Sequence, residues 1–472
     1  MKKSLFASYV SGLKDTVNGD SYGRIMRYLT PEFITALLLT SLPFWLDAYF
    51  ISHLKSTATY ATLGVTGNLI HFLIKSAEAF SVGTVILSGK FNGRGDYKEA
   101  GNVLRDSFWV TCFLGFIFAL FLYCGADMIY RWYGVTPEMR AIGIPFLKLR
   151  SVSVFFTFVY LAFVGFLRGI KNSKVPMAIF IVGACLFVTT DYVLIFGKWG
   201  FAPCGLKGSA IASMVQYISM FIVVMIYVLS NKRVRRYGIH LFKDVARWDY
   251  VGELFSLSWP IILDKATMAF AYIWLSKLFC SMGTSATASY CVVKDMERFS
   301  ILPAIAGAQV ITFLVSNDCG IQNWDGVKAN IKKMIFLTSI ITLIVLCLFC
   351  VNPRPVIALF DKKGDFIDFA ARVFPVISIL SFFDVIQLIL AGALRGAGNV
   401  HTVMIVRVAI TLCYFVPVSY FLVHLPIEDQ MLKFILVYGA FYVGNALMSV
   451  LYIAKFRSED WKIAFLNHKR GS

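Results

Sequence analysis

The sequence predicts an all-α polytopic membrane protein: twelve transmembrane helices in two six-helix bundles related by a pseudo-two-fold axis along the membrane normal. Three observations predict it. The chain is 58% hydrophobic and only 15% charged, with 43 Phe in 472 residues, whereas a soluble chain is typically about half apolar and about a quarter charged. Its charges are confined to short islands between apolar runs of roughly 20 residues, the length a helix needs to cross the hydrocarbon. Short motifs of the first half also return, in the same order, in the second, which marks an internal repeat.

The twelve runs are 29–52, 61–89, 106–129, 143–167, 176–196, 208–230, 255–280, 286–316, 334–352, 367–393, 402–423 and 431–454. With the first segment inside and the sides alternating, the inside segments hold most of the 45 Lys and Arg, the positive-inside asymmetry. The net charge of +18 thus expresses topology rather than affinity for nucleic acid, and the basic run NKRVRR (231–236) faces anionic lipid. No apolar h-region precedes residue 30, so no cleavable signal is expected. The ten Cys are scattered. Cys347-x-x-Cys350 has redox spacing but lies in the apolar run TLIVLCLFCV, where small lipid-compatible filler is the simpler role.

Taken in order, span 1 carries PFWLD (43–47), in which Pro43 removes a backbone hydrogen bond and kinks the helix four residues before Asp47. Span 2 carries KSAEAFS (75–81), with Lys75 and Glu78 three apart and so on one face. Span 4 ends in LRGIKN (167–172), span 5 holds Asp191 in VTTDYVLIFG, and span 6 holds Ser213 in GLKGSAIAS. In the second half, span 7 carries PIILD (260–264), span 8 carries KDMERFS (294–300), and span 10 holds Asp384 and Gln387 and ends in LRGAGN (394–399). Pro-x-x-Leu-Asp, Lys-x-x-Glu-x-Phe-Ser and Leu-Arg-Gly-x-x-Asn therefore recur at the same points of the span count. Six spans return the chain to its starting side, so the repeats are parallel. The domains expected are an N-lobe (1–230), a cytoplasmic linker loop (231–254) and a C-lobe with a short cytoplasmic tail (255–472).

An ionisable residue near a span centre costs at least about 2.5–3.5 kcal/mol on insertion scales and is a functional candidate for that reason. Asp47, Asp191, Asp264 and Asp384 are such residues. The plainer alternative for each is a carboxylate bonded to a neighbouring helix, and for Asp264 an ion pair with a charge such as Lys294. Asp384, with Gln387 one turn on, reads as a cavity lining. Lys75–Glu78, Lys294–Glu297 and Asp295–Arg298 either neutralise themselves or release a carboxylate for a proton, a sodium ion or a cationic substrate. There is no HExxH or Gly-x-Ser-x-Gly, and GTVILSGK (83–90) has one residue too many between its glycines for a nucleotide loop. These absences point away from an enzyme and towards secondary transport driven by an ion gradient.

LRGIKNSKVPM followed by TTDYVLIFG, GLKGSAIAS (205–213) and SFFDVIQLILAGALRGAGN together resemble the MATE family, the multidrug and toxic compound extrusion antiporters of the MOP flippase superfamily. The resemblance spans essentially the whole chain. It implies a V-shaped pair of bundles that alternates between inward- and outward-open states and exports organic cations in exchange for H⁺ or Na⁺. It places ion coupling on Asp47, Asp191 and Ser213, where Thr is usual; Glu78 is a further candidate on its intramembrane charge alone, since the Lys-x-x-Glu-x-Phe-Ser pairs are not among the family's general hallmarks. Asp264, Asp384, Gln387 and Glu297 would serve substrate or ion in the C-lobe, Lys75 and Lys294 as charge partners, and Pro43 and Pro260 as hinges. Phe187 stands where the family often has Asn. Protonation of Asp47 and Asp191 would let helix 1 bend at Pro43 and expel cargo, while aromatic rings hold planar cations. No cofactor beyond the coupling ion and no structural metal is expected. The expected partners are a small cationic substrate and the lipid bilayer, with no nucleic acid, for a monomer in a bacterial inner membrane with both termini cytoplasmic. The alternatives are a flippase for lipid-linked saccharide precursors, which would use Lys75, Lys265, Lys294 and Arg298, and a non-transporting membrane scaffold.

Overall fold

The computed structural model describes residues 19–52, 56–242, 248–360 and 367–462; the side chains of 39–52, 57, 60, 356 and 358–360 lie outside that description. Its regular elements are helical. In chain order they are α1 (Tyr22–Ser52), α2 (Thr57–Arg94), α3 (Tyr97–Trp132), α4 (Pro137–Gly169), α5 (Lys174–Phe196), α6 (Leu206–Ser230), α7 (Val251–Ser281), α8 (Thr284–Ser300) and α9 (Leu302–Gly320). They continue as α10 (Trp324–Val351), α11 (Pro353–Phe360), α12 (Ile367–Leu380), α13 (Phe382–Gly396), α14 (Val400–Ile410), a π-turn (Thr411–Phe415), α15 (Val416–His424) and α16 (Gln430–Arg457). Among the described residues nine stretches are long and apolar enough to cross a membrane, and the bent pair α12–α13 makes a tenth. The twelve expected spans follow as α1 to α7, α8 with α9, α10, α12 with α13, α14 with α15, and α16.

The helices begin and end where the sequence supplies caps. Ser56 accepts from the Thr59 amide at 3.2 Å to open α2, and Asp429 accepts from the Met431 amide at 2.8 Å to open α16, each satisfying a donor the helix cannot. Thr136 caps α4 with Pro137 in its first turn, where proline's missing N–H costs nothing. Several helices are apolar on their outward face: on α3, Phe113 and Phe116 are 61% and 59% exposed, and Leu120, Phe121 and Met128 continue the stripe. Such a surface is stable only against lipid.

The LRG motifs build the same turn twice. The Asn172 amide reaches the Leu167 carbonyl at 2.8 Å and the Lys171 amide that of Arg168 at 2.9 Å; Asn399 to Leu394 and Gly398 to Arg395 repeat this at 2.9 and 2.8 Å. This pair of nested bonds is the Schellman ending of a helix. It needs positive φ at the penultimate motif position, where Gly398 (φ 80°) is at ease and Lys171 (φ 61°) is strained. The Lys-x-x-Glu-x-Phe-Ser repeat diverges. KSAEAFS lies within the unbroken α2, whereas KDMERFS ends α8 at Ser300, before a break at Ile301.

The helices are continuous at two of the prolines. α7 runs continuously through Pro260, and α1 is helical across position 43, whose side chain lies outside the described residues. The breaks are at Ile301 and at Ser381, where α12 and α13 meet at 40°.

By its contacts the chain forms two compact units. One comprises Ile34–Trp259; the other takes the chain up to Phe33 together with the chain from Pro260 onward. Both dividing points fall inside helices, α1 and α7, so the beginning of each belongs to a different unit from its remainder. In the first unit the ends of α2 and α3 clamp the loop after α6: Tyr237 donates to Asn92 (2.7 Å), Trp109 to the Leu241 carbonyl (2.8 Å), and Tyr250 to Glu99 (2.6 Å). Arg105 and Asp106 pair at 2.8 Å, and Asp106 also accepts the Tyr250 amide at 2.9 Å.

Candidate functional site

A cluster of buried charge lies in the unit that contains α8–α16. Asp264 on α7 is 2% exposed, and both its oxygens are taken: Arg395 Nη2 donates to Oδ2 at 2.5 Å, and Arg407 Nε to Oδ1. Arg395 comes from the last turn of α13 and Arg407, itself 5% exposed, from α14. Lys294, the partner expected from sequence, is not involved. A carboxylate between two guanidiniums is a compensated buried charge, the condition under which burial is tolerated.

Asp384 opens α13 just after the 40° bend, where its carboxylate meets the positive end of the helix. It is 4% exposed, accepts from Asn445 Nδ2 at 3.3 Å, and lies within electrostatic range of Arg407. Gln387, one turn on, is 1% exposed. A small cleft is lined by Met268, Arg407, Thr411, Phe415, Phe441 and Asn445. The π-turn Thr411–Phe415 supplies two of these side chains, and π-turns occur frequently at functional sites.

Glu297 corrects a second expectation. It does not pair with Lys294 but accepts from the hydroxyl of Tyr438 on α16, with Tyr442 within electrostatic reach. Lys294 instead places its ammonium 5.5 Å from the Tyr290 ring centroid, a cation–π arrangement. The self-neutralising pair is present in the first half only: Lys75 Nζ donates to both oxygens of Glu78 at 2.9 and 3.0 Å.

In the other unit, Asp191 on α5 is fully buried, with buried Phe187 one turn earlier. Asp47 and Pro43, the remaining N-lobe candidates, lie outside the described side chains. Ser213 accepts from Arg150 Nη1, and Tyr217, one turn on, lies within electrostatic reach of Arg150 and Glu78. Ser213 thus bonds an arginine, and Tyr217 lies within reach of both that arginine and Glu78.

The arginines are what the sequence reading missed. Arg407 stands alone in the apolar run HTVMIVRVAITL. The insertion-cost argument that singled out the aspartates applies equally to it. Arg395 sits inside LRGAGN, where its motif drew attention to the turn and away from the charge.

Comparison with known proteins fits this architecture. The MatE family model matches residues 33–193 and 260–421. The chain is 25% identical over 363 residues to "Probable multidrug resistance protein YoeA" of Bacillus subtilis, covering 75% of this chain and 77% of that protein. It is 23% identical over 393 residues to "Probable multidrug resistance protein NorM" of Thermotoga maritima, covering 82% and 81%. The fold matches that of a solved structure described as the outward-facing conformation of a multidrug resistance MATE family transporter of the MOP superfamily. That match has a TM-score of 0.84 at 19% identity and covers 97% of this chain and 99% of the other. With the family model matched across both halves, the chain belongs to the MATE family of membrane transporters.

Proposed function

We propose that this chain is a multidrug efflux transporter that exports small organic cations by alternating access, in exchange for H⁺ or Na⁺. The observation that carries this reading is the set of buried acids on apolar spanning helices, Asp191, Asp384 and Glu297, in a chain of this family. Buried carboxylates are costly in such surroundings, and a transporter recovers that cost by letting them exchange a cation. The relatives' names support a drug substrate, since both are named as probable multidrug resistance proteins.

In this mechanism Asp191, with Asp47, takes the coupling ion in the first unit. Asp384 and Glu297 supply negative charge in the second, beside the aromatic rings of Phe415, Phe441 and Tyr442. The protein works as a monomer in a bacterial inner membrane with both termini cytoplasmic. Two of the four cations that a saccharide-pyrophosphate flippase would use are otherwise engaged: Lys75 with Glu78 and Lys294 with the Tyr290 ring. Expression in an efflux-deficient bacterium tests the reading. Lower accumulation of a fluorescent organic cation, restored to the empty-vector level in the Asp191→Asn variant, is the expected result; wild-type accumulation equal to the vector control would refute it.

A further inference from the structure

The C-terminal unit contains a cation of its own. Asp264 and Asp384 are two buried carboxylates on α7 and α13, and Arg395 and Arg407 are two guanidiniums on α13 and α14. Each oxygen of Asp264 accepts from a guanidinium, so the charge that would draw a metal ion there is already compensated. Asp384 is bonded to Asn445, and Asn445 lines the same cleft as Arg407. An alkali-metal ion binds a cage of several oxygens with negative charge to spare. Here two aspartates already face two guanidiniums, and Arg407 stands within electrostatic range of both; Glu297, also within range of Asp384, is bonded to the Tyr438 hydroxyl.

We propose that Arg407 is a tethered counter-cation that holds the position an exchangeable sodium ion would otherwise take beside Asp264 and Asp384, so that this unit discriminates against Na⁺. The proposal deepens the ion-coupled reading above and rests on it for its consequence in transport: a Na⁺ gradient does not drive this unit. Arg407 is then a specificity-determining residue that need not touch the exported compound. Replacing it by a neutral group leaves the cluster with one uncompensated negative charge and an opening into the cleft. Both are requirements of a monovalent cation site.

The test is the unfolding midpoint of the purified full-length protein in NaCl and in KCl at equal ionic strength, which reads binding apart from export. Wild type is expected to show the same midpoint in both salts. Arg407→Gln is expected to unfold at least about 3 °C higher in NaCl than in KCl, since a ligand that binds only the folded state raises the midpoint. The double variant Arg407→Gln/Asp384→Asn should lose that difference, and Arg407→Lys, which keeps the charge, should behave as wild type. A Na⁺-specific rise in wild type that Asp384→Asn removes overturns the proposal, as does a folded Arg407→Gln protein indifferent to Na⁺. If Arg407→Gln cannot be obtained folded, wild type and Arg407→Lys decide: indifference of both supports the proposal, and a Na⁺-specific rise in either overturns it. Failure of drug efflux with these midpoints as expected would count against the export reading and leave Arg407's role standing.

Discussion

Asp264 and Glu78 are both acids on spanning helices with basic partners, yet their energetics differ because their surroundings do. The side chain of Asp264 is 3% exposed and bonded to two guanidiniums, whereas Lys75 and Glu78 are 38% and 28% exposed. Removing one member of a buried ion pair strands the other without water, at a cost of about 3–5 kcal/mol. A half-exposed pair is worth about 0–1 kcal/mol. Asp264→Asn is therefore expected to lower folded yield and unfolding temperature sharply by fluorescence-detected size exclusion, while Glu78→Gln shifts both little. At this scale the sequence was legible in one sign only. Isolated aspartates in apolar runs stand out, and Asp191, Asp264 and Asp384 are all buried as their positions imply. Their partners are not legible, because Arg395 and Arg407 lie 131 and 143 residues from Asp264. Glu297 shows the converse. A lysine three residues away in sequence suggests a pair, but a tyrosine hydroxyl from another helix takes the carboxylate.

Between elements, the repeats separate into motifs that encode geometry and motifs that do not. Leu-Arg-Gly-x-x-Asn encodes a helix ending, and the two copies share its hydrogen bonds because those bonds are local. Lys-x-x-Glu-x-Phe-Ser sits within a continuous helix once and at a helix end the other time, since the context that decides continuation lies outside the motif. Likewise α7 continues as helix through Pro260, while a 40° bend stands at Ser381, which no proline precedes within five residues. The loop after α6 was legible as a basic connection, but not as a clamp, because its partners Asn92, Glu99 and Asp106 belong to α2 and α3. One bond of that clamp can be weighed. Burial and the neighbouring Glu99 both push the Tyr250 hydroxyl above its ordinary range near 10. A folded-state value above the unfolded one means the contribution is fully present below pH 10 and fades only above it. Tyr250→Phe should therefore lower stability by about 1–2 kcal/mol, equally at pH 6 and pH 9, as read by thermal unfolding in detergent.

For the whole molecule, the all-helical architecture follows from hydropathy, because lipid forces every backbone group to bond within its own helix; among the described residues ten of the twelve expected spans are long and apolar enough by themselves, and α1 and α7 are not among them. Where the helices divide into compact units does not follow from it. The beginnings of α1 and α7 belong to a different unit from their remainders, and no change in composition marks Phe33 or Trp259. The export reading belongs to this scale as well, since it requires charge movement on spanning helices to be coupled to movement of a compound. It is tested most directly in proteoliposomes loaded with a fluorescent organic cation, under an imposed pH gradient, a Na⁺ gradient or none. The account predicts efflux that an inward gradient of H⁺ or of Na⁺ accelerates at least tenfold over no gradient, abolished in a folded Asp191→Asn protein. Equal rates with and without any gradient, or gradient-driven efflux by Asp191→Asn at the wild-type rate, would contradict it.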